Sequence, residues 1–149
     1  MSKDGELIYG TCISLHADAA ILKGTSNSGK SDLALRFILG TPAELGPALI
    51  ADDHIKVVAK NGALIASAPA TIAGQIEVRG IGIVSVAHRE QARVRLIVQL
   101  VDHDDVPRLP PSPLPSETVC GIALPVLALS PFEASAHLKL RLALQTRVW

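Results

Sequence analysis

Gly24-Thr25-Ser26-Asn27-Ser28-Gly29-Lys30-Ser31 fits G-x-x-x-x-G-K-[ST], the pattern of a phosphate-binding loop, or P-loop. Each part of the pattern has its own task. Glycines let the backbone curl so that several N–H groups point at one anion. Lys30 supplies a compact positive charge for the β- and γ-phosphates, and the Ser31 hydroxyl can ligate Mg2+. Gly24, Thr25, Ser26, Asn27, Ser28, Gly29, Lys30 and Ser31 are therefore candidate contacts to a nucleoside triphosphate. Asn27 stands where glycine is common, and asparagine tolerates positive φ better than other side chains do.

Both flanks agree with the motif. Ala19-Ala20-Ile21-Leu22 is a short apolar run that stops near Gly24 and reads as a buried strand. Ser31 to Leu39 carries Leu33, Ala34, Leu35, Phe37 and Ile38 without Gly or Pro and reads as a helix, which Gly40 and Pro42 end. Strand, loop and helix come in the order a P-loop requires. The helix N-terminus then aims its free N–H groups and positive dipole end at the phosphates.

The chain has 149 residues, 48% apolar and 19% charged, which predicts one globular domain over 1–149 with a sizeable core. Aromatics make up 3%, so Ala, Val, Ile and Leu must build that core. Fourteen basic residues balance fourteen acidic ones and lie scattered, which argues against a nucleic-acid surface. Cys12 and Cys120 lack metal-ligand spacing and read as reduced thiols. Met1 to Glu6 is polar with no apolar leader after it, and no stretch approaches membrane-spanning length, so a cytoplasmic protein without a membrane partner is expected.

Further along, Leu7 to Leu15 reads as a first strand and Ala48 to Ala51 as a buried strand ending in Asp52-Asp53. Ile55 to Ala59 and Ala63 to Ala68 flank Asn61-Gly62, a two-residue hairpin signal. Ala92 to Val101 alternates and predicts a long strand. Pro107, Pro110, Pro111, Pro113 and Pro115 make 106–116 an extended loop. Ser130-Pro131-Phe132-Glu133 has the composition of a helix start, with the helix running to about residue 147. A hairpin excludes a purely parallel sheet, so the expected fold is α/β with a mixed sheet flanked by helices.

Asp52 and Asp53 sit at a predicted strand end, where open α/β sheets form their ligand crevice. One carboxylate there can hold Mg2+, directly or through water, and the other can accept a hydroxyl proton. Glu77-Val78-Arg79-Gly80-Ile81-Gly82-Ile83 places an acid and an arginine on one side of an extended segment, followed by two glycines. Alone, that pattern fits a surface ion pair equally well. His16 is a candidate because it lies shortly before the P-loop, and Arg108 because it is the one cation in the proline-rich loop.

Together these elements resemble the catalytic domain of HPr kinase/phosphorylase. The resemblance is carried by His16-Ala17, the P-loop with Asp32-Leu33-Ala34-Leu35-Arg36, Leu49-Ile50-Ala51-Asp52-Asp53, Ile76-Glu77-Val78-Arg79-Gly80-Ile81-Gly82-Ile83 and Pro107-Arg108-Leu109. It implies a fold like that of the phosphoenolpyruvate carboxykinases and the short proteobacterial form that consists of the catalytic domain. It also implies ATP- and Mg2+-dependent phosphorylation of a serine on HPr, the phosphocarrier of the sugar phosphotransferase system, by a homo-oligomer, a hexamer in the family. By the same resemblance Asp53 is the base, Lys30 grips the phosphates, Ser31 and Glu77 hold Mg2+, Asp52 supports them, and His16 and Arg108 line the site. Leu127 stands where the family's phosphorylase segment has an arginine, which speaks against the reverse, dephosphorylating reaction. A nucleotide-binding regulatory module that docks on a signalling partner is the alternative.

Overall fold

The computed structural model describes residues 5–149. Strands β1 (Glu6–Tyr9) and β2 (Thr11–Leu15) come first, β3 (Asp18–Lys23) returns beside β2, and α1 (Lys30–Gly40) follows the P-loop. Next come β4 (Pro47–Ala51), the hairpin β5 (His54–Lys60) and β6 (Ala63–Ser67), and a small hairpin of β7 (Gln75–Val78) and β8 (Gly82–Ser85). The chain closes with β9 (Gln91–Leu100), β10 (Ser116–Val119), β11 (Ile122–Leu129) and α2 (Ala136–Gln145). The polar start at Met1 to Asp4 lies outside the described residues.

The large sheet runs β1-β5-β6-β9-β3-β2-β4. β3 occupies one edge of β9, so β6 and β11 share its other edge, β6 against Gln91–Arg93 and β11 against 97–100. β3, β9 and β11 are parallel, and β4 runs antiparallel to β2 as β3 does. All four strands therefore point their C-terminal ends at one rim, where the P-loop and Asp52-Asp53 emerge.

Strand alternation sorts the core into two layers. Ile13, Leu15, Ala20, Leu22, Leu96 and Val98 face the helices and pack on Leu33, Phe37, Leu140 and Leu144. Cys12, Ala19, Ile21 and Ile97 face the other way and meet Ile50, Ile55, Val57 and Leu64. Both helices thus lie on one side, and the sheet curls around its own second layer. Cys12 and Cys120 are free; burial pushes the Cys12 thiol well above its ordinary range, so it is an inert core residue.

Two expectations need correction, and one strand was not anticipated. The single strand expected over 7–15 is two strands broken at Gly10, which has φ +152 and whose place would set a Cβ 2.9 Å from the Leu22 carbonyl. Because of that break β1 leaves β2 and pairs with β5. The last helix starts at Ala136 and not near Pro131: the Arg36 guanidinium donates to the Pro131 and Glu133 carbonyls and holds 131–135 as a turn. Strand β11 escaped the sequence reading because Pro125 interrupts its pattern. Pro125 sits where β11 ends its pairing with β10, opposite Ser116, and Val126 begins the pairing with β9, so its missing N–H costs no ladder bond there. The Asn61-Gly62 hairpin forms as expected, with both residues at positive φ.

Phe37 is fully buried between helix and sheet, while Leu39, two residues on, is 72% exposed. Phe37→Ala is expected to lower unfolding free energy by about 3–5 kcal/mol, and Leu39→Ala to stay within about 0.5 kcal/mol. Urea denaturation of both variants checks this, and equal losses would contradict the assignment of the helix's inner face.

Candidate active site

The P-loop turns tightly at its centre. Asn27 has φ +63 and Gly29 φ +91, and the Ser28 N–H donates to the Thr25 carbonyl at 3.1 Å. Asn27 thus takes the left-handed conformation that its place in the motif requires. Lys30 folds back over the loop mouth, its Nζ donating to the Gly24 carbonyl at 2.9 Å and the Thr25 carbonyl at 2.8 Å. Its charge stands at the place where the motif takes an anion.

Asp52 is 8% exposed, and its Oδ1 accepts from the Ser31 hydroxyl at 2.7 Å and the Thr11 hydroxyl at 3.0 Å. One carboxylate oxygen thereby joins the end of β4, the start of β2 and the first turn of α1. Asp53 does the opposite. Its φ of +69 turns the side chain out of the strand, and that side chain is 73% exposed. A non-glycine residue in this conformation is strained and is held by its surroundings. The Gly10 N–H donates to its carbonyl at 3.1 Å, and the His54 imidazole lies 3.3 Å from its carboxylate. The His54 ring rests on Tyr9, ring centres 4.8 Å apart.

The β7–β8 hairpin forms the facing wall. Ile76 is buried in the helix-side core and seats the hairpin, so alternation turns Glu77 outward. The Arg79 guanidinium donates to the Asn27 side-chain oxygen at 3.1 Å and fastens the hairpin to the P-loop. Gly80 and Gly82, at φ +89 and +120, make the turn between the two strands. Together these walls enclose a cleft of about 810 Å³ lined by Thr11, Lys30, Ser31, Asp53, Glu77 and Arg79 among others.

Lys30, Ser31, Asp53 and Glu77 thus share one cleft, with Asp52 bonded to Ser31 beneath it. His16 does not join them. It occupies the β2–β3 turn, where its N–H donates to the Gly46 carbonyl at 3.0 Å, at the rim opposite the P-loop. The length of β3 separates the two, roughly 20 Å at the rise of an extended strand. Nearness in sequence misleads here because a strand carries the chain across the whole sheet. Arg108 is exposed in the proline-rich loop and is not part of the cleft wall. Thr11 went unread in the sequence, and Arg79 was read only as half of an acid–arginine pair. Thr11 had no local signal, since only its pairing across the sheet brings it to Asp52. Arg79 had one, its place two residues after Glu77, which the ion-pair reading matched as well.

Comparison with known proteins places the chain. The model of the HPr serine kinase C-terminal domain matches residues 3–129. HPr kinase/phosphorylase of Clostridium botulinum (strain Eklund 17B / Type B) is 31% identical over 112 residues, which covers 68% of this chain and 35% of that protein. The same-named protein of Caldicellulosiruptor bescii is 31% identical over 100 residues, covering 62% of this chain and 30% of that one. The chain spans about a third of the length of these curated relatives. The solved structure of the HPr(Ser) kinase/phosphatase from Coxiella burnetii superposes with a TM-score of 0.80 at 26% identity, over 95% of each chain. The curled mixed sheet with its P-loop is thus a shared fold, and this chain belongs to the HPr serine kinase C-terminal domain family.

Proposed function

We propose that the chain is an ATP- and Mg2+-dependent protein serine kinase acting on the phosphocarrier HPr. The observation that carries this reading is the meeting of an outward carboxylate, Asp53, with a P-loop lysine and serine in one cleft. A P-loop alone binds phosphate; an exposed carboxylate beside it can also take the proton of an incoming hydroxyl. The names of the relatives support HPr as the acceptor. Single-domain organisation over 1–149, a cytoplasmic location and a homo-oligomer belong to the same reading. Among the described residues no helix is long and apolar enough to cross a membrane; the hexamer rests on the family resemblance.

The oxygen donors fit Mg2+. Among the described residues no three His, Cys, Asp or Glu side chains converge as a ready-made cage. Mg2+ commonly relies on one or two carboxylates plus substrate phosphates, and the Ser31 hydroxyl with the Glu77 carboxylate would supply that sparse set, Asp52 orienting Ser31. Bound there, the ion would neutralise charge on the β- and γ-phosphates.

The chain's own groups do the rest. Amide N–H groups of residues 26–31 cradle the phosphates, and Lys30 exchanges its carbonyl partners for phosphate oxygens. The acceptor serine oxygen bonds to the γ-phosphorus as the bond to the β,γ-bridging oxygen breaks. Its proton passes to Asp53, and ADP leaves. Holding the reactants in line and offsetting charge supply most of the acceleration. Leu127 is paired with Val98 inside β11 and packs against the helix-side core. An uncharged strand residue there agrees with a weak reverse reaction.

Incubation with radiolabelled ATP, Mg2+ and HPr should give acid-stable phosphoserine; ATP binding without it would favour the regulatory module. Lys30→Ala should abolish both binding and transfer. Asp53→Asn should keep ATP affinity within about two-fold while transfer falls at least about 100-fold, the scale of a general base. Equal loss of binding and transfer would make Asp53 a metal ligand instead.

A further inference from the structure

The proline-bounded turn that follows β11 carries an aromatic ring with no structural employment. The chain has only two Phe, one Tyr and one Trp. Phe37 is spent in the core, whereas Phe132 is 74% exposed. Its backbone is nevertheless fastened. Ser130 is buried, and Arg36 donates to the carbonyls of Pro131 and Glu133. The Glu133 carboxylate holds Lys139 and the His103 imidazole, each at 2.5 Å, and these hydrogen bonds, that from Lys139 foremost, keep its carboxyl below the ordinary range. A ring presented by a turn tied down on both sides is held out, not merely left out.

The ring also borders the P-loop. A Cβ placed on Gly29 would lie 3.2 Å from Phe132 Cε1 and 3.2 Å from Pro131 Cβ. The direction of a bound nucleotide across the loop follows from the sheet. Asp52 and Asp53 end β4, and Glu77 stands on the cleft wall beside them, so the transferring phosphate lies toward β4. Strand order on this part of the sheet is β11-β9-β3-β2-β4. The other end of the nucleotide must leave the loop on the β9 and β11 side, and Phe132 follows β11 there.

We propose that Phe132 is the stacking platform of a nucleobase subsite, with Pro131 packed beside it at the edge of the P-loop. The inference rests on the nucleotide reading above and adds where the base goes. Every nucleobase has a π-face that a phenyl ring can cover, so this platform supplies affinity for the nucleoside part and not discrimination among bases. The side chain contributes to binding alone; no step of phosphoryl transfer involves it.

Calorimetric titration with Mg2+ and either ATP or inorganic tripolyphosphate separates the two ends of the ligand. Wild-type protein should bind ATP more tightly than tripolyphosphate. Phe132→Ala should weaken ATP about ten-fold or more, the scale of a lost base stack, and leave tripolyphosphate within two-fold. Phe132→Trp should restore ATP affinity. Because the ring is exposed, circular dichroism of the variants should match wild type. ATP affinity in Phe132→Ala within two-fold of wild type would overturn the subsite, as would a parallel loss of both ligands, which marks damage to the loop. Wild-type protein that binds neither ligand would overturn the nucleotide reading itself, and this subsite with it.

Discussion

A nearly buried carboxylate holds this site together. Asp52 accepts hydrogen bonds from Ser31 and Thr11 through one oxygen, and so binds the ends of β4 and β2 to the first turn of α1. Burying a charge is costly unless it is paired and hydrogen-bonded. Here two hydroxyl donors, from different elements, meet that need. The residue that braces the fold at this rim thus lies directly beneath the P-loop serine. Asp53, next in the chain, has the reverse environment: strained backbone and an exposed side chain. Two adjacent aspartates acquire different environments because one φ angle changes sign between strand and turn.

The sheet explains why these groups meet. β3, β4, β9 and β11 end at one rim, so the loops after them converge although they are dispersed along the chain. The loop after β3 is the P-loop, the turn after β4 carries the two aspartates, and the turn after β11 carries Phe132. The small hairpin β7–β8 lies outside the large sheet and is seated in the helix-side core, beside α1, by Ile76. The bond from Arg79 to Asn27 then closes the cleft from above. Asn27 is the less common residue at its place in the loop, and its side chain is what Arg79 holds. In this chain the exception to the motif is also a structural contact.

How much could be read beforehand depended on how local the cause was. The P-loop, its strand and its helix were plain, because short-range sterics, glycine freedom and helix periodicity act within about a dozen residues. The Asn61-Gly62 hairpin and the long strand β9 followed for the same reason. Gly10 broke a strand that pattern alone joined, since the reason for the glycine is the Leu22 carbonyl on a neighbouring strand. The helix start at Ser130 had the right composition, yet Arg36, distant in sequence, claimed the carbonyls and held a turn.

The amino-acid sequence by itself determined that this protein has a phosphate-binding loop between a buried strand and a helix, that acidic residues follow a second buried strand, and that the sheet is mixed. Tertiary structure alone decided which polar residues share the cleft. It brought in Thr11 and Arg79, carried His16 to the opposite rim, and left Arg108 outside the wall. The reason is geometric: a strand moves the chain about 3.3 Å per residue, so a few residues suffice to cross the sheet, while partners far apart in sequence meet wherever parallel strand ends gather.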